Sequence, residues 1–143
     1  MFTVDQTILI RKPVEQVFDY LVNPINITQW RTDVLRIQNV SERVDVGSTF
    51  EEWVNFMGEK FYAMKVIEYT PNRREVVKAM DGPSVRPTQT FAFETKNGDT
   101  QVSVHVDVET RGLFRLMEPM FPNQFNKIWR QYLVNLKTTL ESG

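Results

Sequence analysis

Residues 88–110 read TQTFAFETKNGDTQVSVHVDVET, two alternating runs around Asn97-Gly98. Asn-Gly is the dipeptide that a two-residue type I′ hairpin turn prefers, because both central residues need positive φ. Placing Asn97 and Gly98 in the loop pairs Phe93 with Val102 and Phe91 with Val104. The same register sets Glu94, Ala92, Thr90 and Thr88 opposite Gln101, Ser103, His105 and Asp107. Apolar side chains meet apolar ones and polar meet polar, and a one-residue slip would destroy both matches. The sequence predicts an antiparallel hairpin with one oily face and one wet face.

Working outward from the hairpin, residues 34–83 continue in strands and turns. VLRIQNVS (34–41) alternates, and two longer strands flank Gly58 in residues 46–72. RREVVKAM (73–80) follows Pro71-Asn72, and Asp81-Gly82-Pro83 punctuates its end. At the start of the chain FTVDQTILIR (2–11) alternates with Phe2, Val4, Ile8 and Ile10 on one side. KPVEQVFDYLVNP (12–24) then carries Val14, Val17, Phe18 and Leu21 at helical spacing, with Pro13 suited to the first helical position. Asn23-Pro24 ends that helix and caps a second short one, INITQW (25–30). Past the hairpin, Phe114, Met117, Phe121, Phe125, Ile128, Tyr132, Leu136 and Leu140 step by helical spacing along one stripe, and Pro119 and Pro122 place a kink or restart near its beginning. The order is a strand, two short helices, a run of antiparallel strands and one long helix. A sheet of about six or seven strands with one apolar face needs a cover, and the terminal helix is the element long enough to supply it.

Composition narrows the function. The chain has 143 residues with 17 basic and 18 acidic side chains, a net charge of -1, and neither sign is gathered into a block. A nucleic-acid partner would ask for a basic face, so none is expected. No apolar run reaches the ~18 residues of a membrane span, so no membrane insertion is expected. With no cysteine, thiolate catalysis, disulfides and Cys-ligated zinc are excluded. No secretory leader pattern is read at the N-terminus, and the expected location is cytoplasmic.

The order and spacing of several motifs resemble the Bet v 1-like, START-related (SRPBCC) superfamily, in particular its bacterial polyketide cyclase/dehydrase-like branch. They are KPVEQVFDYLVNPINITQW (12–30), VGSTFEE (46–52), VIEYTPNR (66–73), MDGP (80–83) and GLFRLMEPMF (112–121). The resemblance implies an α+β helix-grip fold over residues 1–143 as a single domain, the curved sheet gripping the long helix. It also implies a hydrophobic cavity between sheet and helix, flanked by the short helices. Members of the family bind lipids, sterols, polyketides, quinones or plant metabolites, and some cyclise or dehydrate them.

Candidate site residues follow from the faces. Met suits a surface that must accept varied apolar shapes, and Met117, Phe121 and Phe125 beside the prolines are read as pocket lining. The stripe farther along, Ile128, Tyr132, Leu136 and Leu140, is read as core. Phe91 and Phe93 form the hairpin's share of the cavity wall. Phe50, Val54 and Phe56 alternate inward, and Glu52 falls in the same row, so a carboxylate points toward the cavity. Such a group must be paired, protonated or wetted. Lys65 would lie opposite it with Gly58-Glu59 as a two-residue turn, and Met64 would take that place with a three-residue turn. Tyr62 and Tyr69 fall on opposite faces of their strand, with Tyr62 favoured inside. Trp30, ending the helix pair, is either a stacking face for a ring-bearing ligand or an anchor of helix to sheet. His105, with Asp107 and Glu109, reads as outward-facing. Trp53 reads as outward too, where a homodimer contact would find it.

Three functions are consistent with this: a non-catalytic carrier or sensor of a small hydrophobic molecule, a cyclase or dehydratase using Glu52 as acid or base, and an interaction module whose cavity has closed. No cofactor and no metal are expected. The first needs least from the sequence, because a nucleophilic constellation is missing and an apolar cavity with a polar group suffices.

Overall fold

A computed structural model of the chain describes residues 1–142. The seven strands are β1 (Phe2–Ile10), β2 (Val34–Gln38), β3 (Thr49–Asn55), β4 (Glu59–Thr70), β5 (Arg74–Asp81), β6 (Val85–Lys96) and β7 (Asp99–Thr110). They form one antiparallel sheet in the order β1-β7-β6-β5-β4-β3-β2. Helix α1 (Val14–Val22), a 3₁₀ turn (Pro24–Asn26) and α2 (Ile27–Trp30) join β1 to β2. After β7 come α3 (Leu113–Met117), a second 3₁₀ turn (Glu118–Met120) and α4 (Phe121–Glu141). This is the helix-grip arrangement, α+β in class, with α4 held in the concave side of the sheet.

The hairpin register is the one that Asn97-Gly98 dictates: Phe93 faces Val102, Phe91 faces Val104 and Thr90 faces His105. Asn97 (φ 53) and Gly98 (φ 87) both take the left-handed backbone that the turn requires. Along β7 the inward row is Val102, Val104, Val106 and Val108, all buried, while Gln101, Ser103, His105 and Asp107 alternate on the other side. Against this valine floor α4 presents Phe121, Trp129, Tyr132, Leu133, Leu136 and Leu140. Polar contacts lock the helix along β1: Gln6 Nε2 donates to Asn126 Oδ1 (3.1 Å) and Lys137 Nζ to the Leu9 carbonyl (2.6 Å).

Three local expectations change. Pro13 is the N-cap of α1 rather than its first helical residue; its ψ of 150° is extended, and its carbonyl accepts from Gln16 and Val17. The β3–β4 connection uses Phe56, Met57 and Gly58, so Asn55 pairs with Glu59 and Glu52 faces Tyr62. Lys65 pairs with Thr49 and leaves the inner row to Tyr62, Met64 and Val66, so neither turn considered for this hairpin is the one formed. The shift follows from Met57, which adopts φ 50, a left-handed conformation uncommon for a residue with a side chain. Tyr69 also comes inside. A register shift between Val66 and Glu68 breaks the alternation of β4, and the Tyr69 ring then packs on Phe18 with centroids 5.4 Å apart.

The restart at the prolines is present, and it closes one end of the fold. Phe121 gathers Phe2, Phe56, Phe114 and Phe125 around it at centroid distances of 5.8–6.3 Å. Pro122 occupies the first turn of α4, where its missing N–H is no loss, and its carbonyl accepts from Asn126 Nδ2 (2.8 Å).

Candidate functional site

Between the valine floor of β7 and the first half of α4 the interior is not filled. A cavity of about 280 Å³ opens there, lined from β3 by Val54, from the β3–β4 turn by Phe56 and Met57, from β6 by Pro87 and Gln89, from β7 by Val106 and Val108, and from α4 by Phe125, Ile128, Trp129 and Tyr132. The β7 residues that line it are the valines Val106 and Val108, whereas Phe91 packs on Trp30 and Phe93 on Phe18 of α1. Exposed Met57 and Gln124, with Asn55, rim the mouth.

The inner end is polar. Glu52 is 1% exposed, and its Oε2 accepts from Arg31 Nη1 at 3.1 Å. Arg31 is buried as well, and its guanidinium carbon lies 5.4 Å from the Trp129 ring centre and 5.7 Å from that of Tyr132. Two aromatic faces and one carboxylate thus hold a cation that left water. The Tyr132 hydroxyl donates to Asp33 Oδ2 (3.1 Å), and the Tyr62 hydroxyl donates to the Val85 carbonyl. Burial pushes both phenols well above their ordinary range, with Glu52 adding to the rise at Tyr62, so both stay O–H donors at neutral pH. Arg31 Nε and Glu52 Oε1 are buried without a hydrogen-bond partner.

A second, smaller hollow of about 20 Å³, room for roughly one water, lies on the other side of Arg31 and Gln89. Trp30 and Glu75 line it. Glu75 is 3% exposed, and burial alone pushes its carboxyl up to about 8.

Of the residues singled out in the sequence, Glu52, Val54, Tyr62 and Phe125 come together on the main cavity wall. Trp30, Phe50 and Phe91 line the small hollow instead. Trp30 anchors helix to sheet: it is 1% exposed and meets Phe91, Trp129 and Tyr132 edge to face at 6.2–6.4 Å. Phe93 packs on Phe18 under α1, 5.0 Å between centroids. Phe121 belongs to the aromatic cluster at the restart, and Met117 packs beside it on the core without reaching the cavity. Ile128 and Tyr132, read as plain core, line the cavity. Trp53 is half-buried on the outer face between Phe61 (5.0 Å) and the Arg36 guanidinium (4.5 Å). His105 is outward, bonded to Asp5 (2.7 Å) and Asp107 (3.0 Å). Among the described residues no group of three or more His, Cys, Asp or Glu side chains is arranged to hold a metal ion, and no helix is long and apolar enough to cross a membrane.

Arg31, Gln89 and Glu75 were missed. Gln89 lies two residues before Phe91 on the inward row of the hairpin, so the alternation that exposed Glu52 could have found it. Arg31 left a subtler signal: an inward carboxylate needs a cation, and the basic residue ending the helix pair was a candidate.

A family model described as "Polyketide cyclase / dehydrase and lipid transport" matches residues 1–141. No curated protein matches the sequence. Among solved structures the chain is similar to TTHA0849 from Thermus thermophilus (TM-score 0.83, 15% identity, 99% of this chain and 98% of that one). It is also similar to a START superfamily protein from Mycobacterium smegmatis (TM-score 0.72, 16% identity, 98% and 94%). A third similar structure is DR_A0006 from Deinococcus radiodurans (TM-score 0.70, 17% identity, 100% and 99%). At these identities the likeness speaks for the fold alone.

Proposed function

The chain belongs to the polyketide cyclase/dehydrase and lipid transport family, and from that premise we propose that it is a non-catalytic cytoplasmic carrier or sensor holding a small hydrophobic molecule between sheet and α4. The observation that carries this reading is the cavity of about 280 Å³, walled by Val54, Val106, Val108, Phe125 and Ile128, with Arg31 and Glu52 among its few polar walls and Asn55 and Gln124 at its mouth. That is the form of a small-molecule site: concave, mostly apolar, with a few placed polar groups. A closed interaction module would have filled this space with side chains.

A cyclase or dehydratase needs an acid and a base poised on the substrate. Here one oxygen of Glu52 is engaged by Arg31, and the phenol opposite it in the sheet, Tyr62, is committed to the Val85 carbonyl. The arrangement supports holding a molecule better than moving its protons.

Mass spectrometry of the purified protein under non-denaturing conditions tests the proposal. The expected result is a mass above that of the chain, lost on denaturation, or one created by adding a small hydrophobic compound. A protein that carries nothing and takes up no such compound overturns it.

A further inference from the structure

The segment that joins β7 to α4 is apolar on two faces. Phe114, Met117 and Phe121 pack inward on the core. Leu113, Leu116 and Met120 repeat the same helical spacing one residue earlier, and they stand 69%, 80% and 69% exposed. A surface helix turns polar side chains to water, as α4 does with Asn123, Lys127 and Arg130. Single exposed apolar residues are ordinary, but a clustered face of them marks a contact. One aromatic layer separates this face from the cavity. Phe114 meets Phe56 at 6.3 Å, Phe56 meets Phe125 at 5.4 Å, and Phe56 and Phe125 line the cavity wall. Met57, next to Phe56 and 58% exposed, rims the mouth.

Charge and shape indicate what covers the face. Arg111 and Arg115 are exposed within the segment, and no ion pair fixes either of them among the described residues. Glu118, the only acid in residues 111–120, is already engaged by the Met1 amine (2.6 Å) and by Thr110 Oγ1 (3.0 Å). Lys60 adds a third cation beside Met57, whose carbonyl its Nζ reaches at 3.1 Å. Projecting leucine and methionine side chains would require matching hollows in a folded partner. A bilayer takes them up without matching, and anionic headgroups answer the arginines.

Resting for its purpose on the reading of the cavity as a carrier's site, we propose that Leu113, Leu116 and Met120, with Arg111 and Arg115, dock the protein on the surface of an anionic lipid bilayer. The cavity wall then lies one aromatic layer behind the lipid contact, where an apolar cargo can pass with little exposure to water. The segment rests in the interface and does not cross it, since α3 is only five residues long.

Flotation of the intact protein with lipid vesicles tests this. Binding to phosphatidylcholine/phosphatidylglycerol vesicles should exceed binding to phosphatidylcholine alone by about tenfold or more, and should fall as salt rises. The triple variant Leu113→Ser, Leu116→Ser, Met120→Ser and the double variant Arg111→Gln, Arg115→Gln should each weaken it by about tenfold or more. All five side chains are exposed, so both variants should unfold at the parent's temperature. Without vesicles, both should take up prodan, a small uncharged dye, as the parent does. A parent that stays unbound, or variants that bind as the parent does, overturns the docking face whatever the dye shows. A parent that stays unbound but self-associates, with the triple variant monomeric, overturns it in favour of a contact between copies of the chain. A parent that binds vesicles but takes up no dye keeps the docking face and refutes the carrier reading instead.

Discussion

Arg31 Nη1 lies 3.1 Å from Glu52 Oε2, and both side chains are almost wholly removed from water. The pair joins two parts of the molecule that local sequence does not connect: the residue capping α2 and the middle of β3. Desolvating two charges is costly, and removing one partner leaves the other charged and unpaired in the interior. Arg31→Met should therefore destabilise the protein by about 3–5 kcal/mol. Adding Glu52→Leu in the same chain should restore most of that loss, since an apolar pair of similar volume removes both desolvation terms. Urea denaturation of the two single variants and the double variant measures the coupling. Additive single effects would show that the pair contributes nothing as a pair.

Glu75 has the opposite problem, burial with no cation. Its carboxyl titrates near 4.5 when unperturbed and about 8 in the folded protein. Between those values the native state holds a proton that the unfolded chain has released. Stability accordingly falls as pH rises through that window, by up to about 1.4 kcal/mol per pH unit, and the loss is complete above the folded value. Glu75→Gln keeps the shape and removes the titration. It should match the parent protein near pH 4 and exceed it by roughly 2 kcal/mol or more at pH 9. Denaturation midpoints at both pH values decide this; a difference between the two proteins that does not change with pH would refute it.

How much of this was legible depended on where local chemistry fixes geometry. The β6–β7 pairing was readable residue by residue, because Asn97-Gly98 leaves one comfortable turn and both faces confirm the register. The neighbouring hairpin was not, because its turn puts Met57 at φ 50 and no side-chain preference announces that. The inward direction of Glu52 survived, since strand alternation decides the face whichever turn forms. Its partner was not legible, because Lys65 depended on one of two turns that do not form, while Arg31 arrives from a helix end placed by tertiary packing. The apolar stripe from Phe114 to Leu140 was read correctly as a stripe. Which of its members face empty space is set by the valines opposite, and that is a property of two elements together.

His105 offers a test on the outer face of the sheet. Its hydrogen bond with Asp5 is the largest cause raising its pKa above the ordinary 6.5, and Asp107 adds to it against the opposing effect of burial. A raised value means that the imidazolium's stabilising contribution is fully present below about 6.5. It is lost as pH climbs through the folded value. Following the imidazole protons by NMR, Asp5→Asn should lower the titration midpoint more than Asp107→Asn does. Equal midpoints in all three proteins would contradict the geometry.

Gly82, in the turn after β5, has φ +150, and a Cβ there would stand 2.8 Å from Tyr62 Cδ1 and 3.1 Å from the Phe61 carbonyl oxygen. Tyr62 cannot easily withdraw, because its hydroxyl is bonded to the Val85 carbonyl and its ring forms part of the cavity wall. Gly98 provides the contrast: it too has positive φ, +87, but nothing lies within 4 Å of an added Cβ. Gly98→Ala should cost about 1 kcal/mol through backbone conformation alone and leave ligand uptake unchanged. Gly82→Ala carries a similar conformational cost plus the displaced ring, so about 1–3 kcal/mol in thermal or urea unfolding, together with weaker binding of whatever occupies the cavity. If both variants bind as the parent does, Tyr62 is not held against the ligand space by this turn, and the link from Gly82 to the cavity is broken.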